Sequence, residues 1–379
     1  MIPAVNSKQR VLLSANTSWN IINFRSGLIR GLVAQGHDIH VAAPADRFSE
    51  RIEGLGATFH PLSMSGAGLS PIKDLKTVAA YRDLFRIIRP DGFLPFTIKP
   101  NIYGGLAAIG LPIRILNNIS GLGTAFMGEG PLQKLVSVLY RVALRKSATV
   151  FFQNREDADL FRQKKLVADR QVAFLPGSGV DLSRFAPAPK DGLANEAGVR
   201  FLMVGRLLRD KGVAEYIAAA RMVREGHPTA QFRLLGPTGV DNPAAISADE
   251  LDRLLAAGEV EYLGEADDVR DAMRNADCIV LPSYYREGVP RTLIEAAALG
   301  LPIITTDHIG CRDAVDQGVT GLLCAPRSID GLAEAMRAMI AMGPEQRATM
   351  AKAGRQKAER EFDERLIVAA YQDALTEAI

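Results

Sequence analysis

Apolar residues along this chain fall into short runs separated by longer stretches of helical periodicity. The first run, Arg10–Ala15 (RVLLSA), reads as a buried strand. A polar loop, NTSWN, follows, then a helical pattern, FRSGLIRGLVAQGH, closed by Gly36, then a second apolar run, IHVAAP. Strand, loop, helix and strand within about 35 residues is the pattern of a βαβ unit. The alternation continues. TFHPL reads as a strand and Ile72 to Ile88 as a helix. FLPF and IRILNN read as strands around a glycine-rich helix, LQKLVSVLYRVALRK as a helix, and TVFFQN and VAFLPG as strands.

The stretch LPGSGVDLSRFAPAPKDG, Leu175–Gly192, has no apolar period and reads as a linker. The alternation then restarts with VRFLMVG, a helix from Lys211, FRLLG, a helix near Asp249, EVEYLG, a short helix, DCIVLPS, a helix through Glu295, and LPIITT. The tail from Ile329 to Ile379 reads as helices. Strands alternating with helices predict parallel sheets covered on both faces. The fold class is therefore α/β, with one Rossmann-like domain over residues 1–187 and a second from residue 188.

The length of 379 residues agrees with two cores rather than one. With 47% hydrophobic and 23% charged residues the composition is that of a globular protein. The most apolar region, Ile102 to Ile119, is broken by glycines, Pro112 and Arg114, so no bilayer-spanning segment is expected. The N-terminus lacks the basic and apolar regions of a signal peptide. Cys278, Cys311 and Cys324 form no disulfide framework, and His37, His40, His60, His227 and His308 have no metal spacing. These features make the cytoplasm the expected location. Charge is unevenly placed. Residues 1–187 carry 23 Lys and Arg against 13 Asp and Glu, and residues 188–379 carry 22 against 30. A basic first half suits an anionic partner; differing surface charge for solubility is the bland alternative.

In open parallel sheets, ligands bind beyond the carboxyl ends of the strands. Two strand–helix loops hold candidate chemistry. In GRLLRDKG, Gly205–Gly212, glycine ends a strand, and Arg206 and Lys211 flank a loop that opens a helix. Two cations near a helix N-terminus suit a diphosphate, although surface cations on a turn are common. In YYREGVPRTLIEAAALGLP, Tyr284–Pro302, Glu287 lies in a turn with Gly288 and Pro290, and Glu295 stands eight residues on in a helix. Gly288 permits an unusual backbone, and Pro290 suits the first helical turn. The neighbours of Glu295 are apolar all round, and a buried acid without a role is costly. A carboxylate there can accept two hydroxyl hydrogen bonds, as from a ribose.

Together, GRLLRDKG and, about 80 residues later, EGVPRTLIEAAALGLPIITT resemble the donor site of retaining GT-B glycosyltransferases, specifically glycosyltransferase family four. LPGSGVDLSRFAP resembles the family's interdomain segment, and ADCIVLPSYYREGVP and IGCRDAVDQGVTGLLC its C-terminal half. The resemblance implies a donor-binding domain over 188–361 and a crossover helix over 362–379 that returns to the N-terminal domain. It implies that Arg206 and Lys211 hold the donor diphosphate and Glu295 its ribose. Glu287, with the backbone of Gly288, Val289 and Pro290, would hold the donor sugar's hydroxyls, and Gly205 belongs to the same donor site. It further implies transfer with retention by front-face attack, the leaving diphosphate taking the acceptor's proton. Glu287, Arg206 and Lys211 are then the catalytic candidates. No metal-holding aspartate pair sits beside this site in sequence, so metal-free transfer is expected, with no cofactor beyond the nucleotide sugar.

The N-terminal domain would bind the acceptor. The loop after the first strand lacks the glycine pair of many relatives, leaving Asn16, Ser18 and Asn20 as possible donors. The region that matches the family's histidine loop is FTIKPNIYGG, with Thr97 and Lys99 and no histidine. SANTSWNIINFRSGLIRGLVAQGHDIHVAAP, FTIKPNIYG and NNISGLGTAFMGEGPLQKL resemble one branch, bacterial enzymes that extend a sugar on undecaprenyl diphosphate, including N-acetylgalactosaminyltransferases. That branch implies a UDP-sugar donor (UDP-GalNAc ahead of UDP-GlcNAc) and a lipid-linked sugar acceptor. The loop SGLGTAFMGEG, with Gly121 and Gly123, would sit at the acceptor mouth. The helix after it sets Leu132, Leu135, Val136, Val138, Leu139, Val142 and Leu144 beside Lys134, Arg141, Arg145 and Lys146, a pattern for lying on an anionic membrane. It equally fits a core helix with a basic edge. The expected place is peripheral, on the cytoplasmic face of the inner membrane, with no nucleic-acid partner. A soluble sugar or sugar-phosphate acceptor, a nucleotide-sugar-binding protein without turnover, and an epimerase are the other readings.

Overall fold

The computed structural model describes residues 8–64, 70–122, 130–188, 198–240 and 242–377. The chain divides into two compact units, residues 1–179 with 364–379, and residues 180–363. The expected boundary at Pro187 therefore falls inside the second unit. The chain changes unit between Gly179 and Val180, where Val180 N donates to Phe362 O at 2.8 Å.

The first unit is a seven-stranded parallel sheet. Its strands are β1 (Arg10–Ser14), β2 (Asp38–Ala43), β3 (Thr58–Pro61), β4 (Gly92–Pro95), β5 (Arg114–Ile119), β6 (Thr149–Phe152) and β7 (Val172–Phe174). They lie in the order β3-β2-β1-β4-β5-β6-β7. The central strands are buried on both faces, hence their unbroken apolar runs. One face packs on the helices Ser18–Ala34 and Glu364–Thr376, with Ile29, Leu32, Ile367 and Tyr371 in its core. The other packs on Pro71–Ile88, Gly105–Ala107, Pro131–Leu144 and Arg155–Gln163, around Tyr81, Phe93, Tyr140 and Phe161.

NTSWN is not the loop its polarity suggests. The helix begins at Ser18, and Thr17 caps it, its hydroxyl accepting from Asn20 N at 3.0 Å. The polar residues are cap chemistry. This helix meets the returning helix Glu364–Thr376 through two glycines. A methyl group on Gly27 would collide with the Glu364 carboxylate, and one on Gly31 would stand 2.6 Å from Val368 Cγ1.

The second unit is a six-stranded parallel sheet of β8 (Arg200–Val204), β9 (Gln231–Leu235), β10 (Glu261–Tyr262), β11 (Cys278–Leu281), β12 (Ile303–Thr306) and β13 (Gly321–Cys324). Its order is β10-β9-β8-β11-β12-β13. A single core runs through it, from Phe201 and Tyr216 to Leu293 and Met336. No helix among the described residues is long and apolar enough to cross a membrane.

Candidate active site

In the second unit the winding of the sheet reverses between β8 and β11. Loops leaving neighbouring strands at such a point diverge and leave a crevice at the sheet's carboxyl edge. GRLLRDKG leaves β8 and PSYYREGVP leaves β11, so the two candidate stretches meet there.

The first loop is built on glycine. Gly205 has φ 153°, and open space lies where a side chain would start. Arg206 is exposed and, among the described residues, in no ion pair. Residues Arg209–Lys211 form one turn of 3-10 helix, and Gly212, at φ 82°, turns the chain into the helix Val213–Arg224. A Cβ on Gly212 would collide with the Pro282 carbonyl, so the two loops pack backbone to backbone. The helix thus starts two residues after the expected Lys211, because the turn must pass through a left-handed glycine first.

Hydrogen bonds stitch the loops together. Tyr284 N donates to Asp210 O at 2.9 Å, and the Tyr284 hydroxyl to Arg209 O at 2.8 Å. Lys211, buried on the floor of this junction, forms an ion pair with Glu287. Ser283 Oγ donates to the same Glu287 oxygen at 3.3 Å. The sequence-predicted cation and loop acid are therefore in direct contact, 76 residues apart in the chain. Beside them, burial raises the Asp210 carboxyl pKa above its ordinary value, Lys211 opposing and Glu287 adding. Burial, then the Glu287 charge, raise the Tyr285 phenol, with the Arg206 charge opposing. Burial pushes the Cys311 thiol up to about 11, with Glu287 again adding. Burial lowers the His308 imidazole, with the Arg312 and Arg286 charges adding and Glu287 opposing.

The left-handed glycines around the site are Gly205, Gly212 and Gly310, not Gly288 as the sequence suggests. Gly310 on the loop after β12 backs onto the carbonyls of Glu287 and Gly288, where a side chain would collide. The turn is shaped from behind by a neighbour's missing Cβ. Pro290 is the N-cap of the helix Arg291–Ala298, one position earlier than expected. Val289 is buried beneath the turn.

Glu295 faces other charges. Its side chain is 12% exposed, and Arg291 Nε donates to it at 2.7 Å. Burial raises its carboxyl pKa above the usual range, opposed first by Arg291 and then by Arg184, while Asp268 adds. The helix start is tied to the end of β8, Thr292 Oγ1 donating to Val204 O at 3.3 Å. The Lys211–Glu287 pair and the largely buried Glu295 thus lie on the loops and helix that follow β8 and β11. Asp210, Ser283, Tyr285, His308 and Cys311 were not singled out from the sequence. Only the pairing of β8, β11 and β12 brings them together.

The first unit has the same reversal, between β1 and β4. Thr97, just beyond β4, has φ 65°, a strained state for a β-branched residue. Its carbonyl accepts from Asn101 N at 3.2 Å and from Asn101 Nδ2 at 2.7 Å, and Asn101 Nδ2 also donates to Asn118 O at 2.9 Å. Asn117 Nδ2 holds Asn101, and Ser147 Oγ holds Asn117. The Thr97 hydroxyl is buried and has no protein partner. Lys99 pairs with Asp74 at 3.5 Å, and both are largely buried.

Asn16 lies half-buried in the bend beyond β1. Asn20 is in the first helical turn, its side-chain oxygen buried and unpartnered. Ser18 is fully buried and donates to Pro44 O at 2.8 Å, so its hydroxyl serves the fold instead of facing a ligand. Gly121 follows β5 with φ 115°. Gly123 and most of its loop lie outside the described residues.

Comparison with known proteins agrees with this architecture. The model "Glycosyl transferases group 1" matches residues 187–357, and "Glycosyl transferase 4-like" matches residues 10–154. The chain belongs to the GT-B glycosyltransferases of group 1, with a glycosyltransferase 4-like N-terminal domain. It is 26% identical, over 96% of its length and 97% of the relative's, to the N,N'-diacetylbacillosaminyl-diphospho-undecaprenol alpha-1,3-N-acetylgalactosaminyltransferase of Campylobacter jejuni. It is 27% identical, over 71% of both chains, to the UDP-Gal:alpha-D-GlcNAc-diphosphoundecaprenol alpha-1,3-galactosyltransferase of Escherichia coli. In fold it is similar to Anabaena HepE, solved in complex with UDP, with TM-score 0.78, 18% identity and coverage of 97% and 99%.

Proposed function

We propose that this glycosyltransferase moves an N-acetylhexosamine, UDP-GalNAc ahead of UDP-GlcNAc, onto a sugar carried by polyprenyl diphosphate, with retention and without a metal. The observation that carries the donor half is the Lys211–Glu287 pair at the β8–β11 switch point, beside the exposed Arg206 and the open Gly205. The acceptor half is supported by the two relatives named for undecaprenyl-diphosphate-linked substrates, one of them matched over nearly all of both chains.

Lys211 and Glu287 neutralise each other. A nucleotide sugar would divide the pair, its diphosphate taking Lys211 and Arg206 and its sugar hydroxyls taking Glu287. As the bond from the anomeric carbon to the diphosphate breaks, charge grows on the leaving oxygen. Preorganised cations stabilise that charge, each such group being worth about a hundredfold or more in rate. The leaving oxygen then accepts the proton of the incoming hydroxyl on the same face of the sugar. Glu295 would accept the ribose hydroxyls. Asn16, Asn20, Thr97 and Lys99 would face the acceptor, with Gly121. The two cations, Arg206 and Lys211, would supply the electrostatic role that a metal plays in other transferases. The reading puts the reaction at the cytoplasmic face of the inner membrane.

The test is titration of the protein with UDP by calorimetry, and of the variant carrying Arg206→Ala and Lys211→Ala. The wild type binds and the double variant loses binding while its melting curve stays cooperative. Undiminished binding by a folded double variant contradicts the site.

A further inference from the structure

The first unit carries two neighbouring helices with more apolar surface than its core uses. Pro71–Ile88 and Pro131–Leu144 both pack against the turn Pro100–Gly104, on one face of the sheet. Each has an inward stripe. In the first it is Tyr81, Phe85 and Ile88; in the second it is Val136, Tyr140 and Leu144. Each also has an outward stripe of aliphatic residues. Leu135, Val138 and Val142 stand at the i, i+3, i+7 spacing of one helix face and are 49%, 52% and 44% exposed. Ile72 and Leu75, in the opening turns of the other helix, are 72% and 70% exposed.

The outward stripes are bordered by cations. Lys73 and Lys76 flank the first, and Lys134, Arg141 and Arg145 the second, all exposed. The helix Pro131–Leu144 contains no acid at all. In Pro71–Ile88 the acid nearest the stripe, Asp74, is turned inward onto Lys99. Aliphatic side chains edged by Lys and Arg on a helix surface are the pattern that settles in the headgroup boundary of an anionic bilayer. A second copy of the chain is a poor occupant, because its face would bring the same cations together.

We propose that Ile72 and Leu75 of one helix and Leu135, Val138 and Val142 of the other form a membrane-docking face for anionic lipid, held by both insertion and charge. The proposal deepens the lipid-linked reading of function and rests on it only for its purpose; the face itself is defined by exposure and charge. It adds the opening turns of Pro71–Ile88 to the helix that the sequence pattern alone suggests.

The experiment is co-sedimentation of the full chain with vesicles of phosphatidylglycerol and phosphatidylethanolamine, and with phosphatidylcholine alone. The protein is expected on the anionic vesicles, several-fold less at high salt and far less on phosphatidylcholine. Leu75→Ser with Val138→Ser is expected to weaken partition about tenfold or more, with an unchanged melting temperature, since both side chains are exposed. The three native cysteines are buried, so a dye can be placed selectively at Leu75→Cys, Val138→Cys or, as a control in the second unit, exposed Val319→Cys. Dyes at 75 and 138 shift to the blue on anionic vesicles and the control does not. Equal shifts at all three positions, no partition, or shifts that follow protein concentration without vesicles overturn the proposal. Transfer to a short-prenyl, detergent-soluble acceptor separates the two claims. The serine variant retains that transfer if the functional reading holds, whatever the vesicles show.

Discussion

At the scale of single residues, the site rests on groups whose burial makes their charge consequential. Glu287→Gln keeps the shape of the turn but removes the partner of Lys211. Transfer is expected to fall about a hundredfold or more, with a circular-dichroism melt still cooperative; unchanged turnover would remove Glu287 from the chemistry. Glu295 makes a pH prediction. Burial raises its pKa, so as pH falls it takes up a proton before an ordinary glutamate does. A nucleotide sugar, whose diphosphate does not titrate in that range, is expected to lose affinity over this window. Glu295→Gln is expected to bind more weakly and to flatten the profile, and a Glu295→Gln profile that still falls in parallel with the wild type would place the titration elsewhere. The sign for stability is opposite. A folded pKa above the unfolded one contributes stability that is present at low pH and lost as pH rises through the folded value. The strained Thr97 gives a third prediction. Thr97→Gly removes a backbone cost of about 1–3 kcal/mol and one buried unpartnered hydroxyl. The melting temperature is expected to hold or rise while transfer falls, and a fall in melting temperature would mean that the strain is not real.

At the scale of elements, most strands and helices could be read from periodicity, because the central parallel strands are buried on both faces and so appear as unbroken apolar runs. The errors cluster where local polarity misleads. NTSWN looks like a loop, but Thr17 caps a helix with it. Gly288 looks like the special backbone of the turn, but Gly310 supplies the clearance from another loop. The Lys211–Glu287 contact could be suspected only by resemblance, since nothing in the spacing of two loops reveals that β8 and β11 are adjacent. The helix Pro131–Leu144 is apolar at so many positions that its pattern cannot say which stripe faces out. The close approach of Ser18–Ala34 and Glu364–Thr376 is likewise invisible until Gly31 is seen against Val368. Gly31→Val is expected to cost about 1–3 kcal/mol by overpacking, read as a lower melting temperature, whereas Gly36→Ala, where a Cβ meets open space but φ is 89°, acts only through the backbone.

At the scale of the whole molecule, the chain leaves its first unit at Gly179 and returns to it at Glu364. The last helix contributes Ile367, Val368, Tyr371 and Leu375 to the first unit's core. It also supplies the Tyr371 hydroxyl to Asn118 at 2.9 Å and the Ala374 carbonyl to Arg114 at 2.5 Å. Removing residues 364–379 is therefore expected to leave the first unit without a folded core, as measured by amide protection, while a cooperative melt of that unit would contradict the packing described. The central claim is transfer of a sugar to a lipid-linked sugar. The most direct measurement incubates the protein with bacterial membranes and each of a panel of radiolabelled nucleotide sugars, then partitions the products between water and organic solvent. The account predicts label from a UDP-N-acetylhexosamine in the organic phase, with none from Glu287→Gln. Label confined to the aqueous phase as a new glycoside would contradict it.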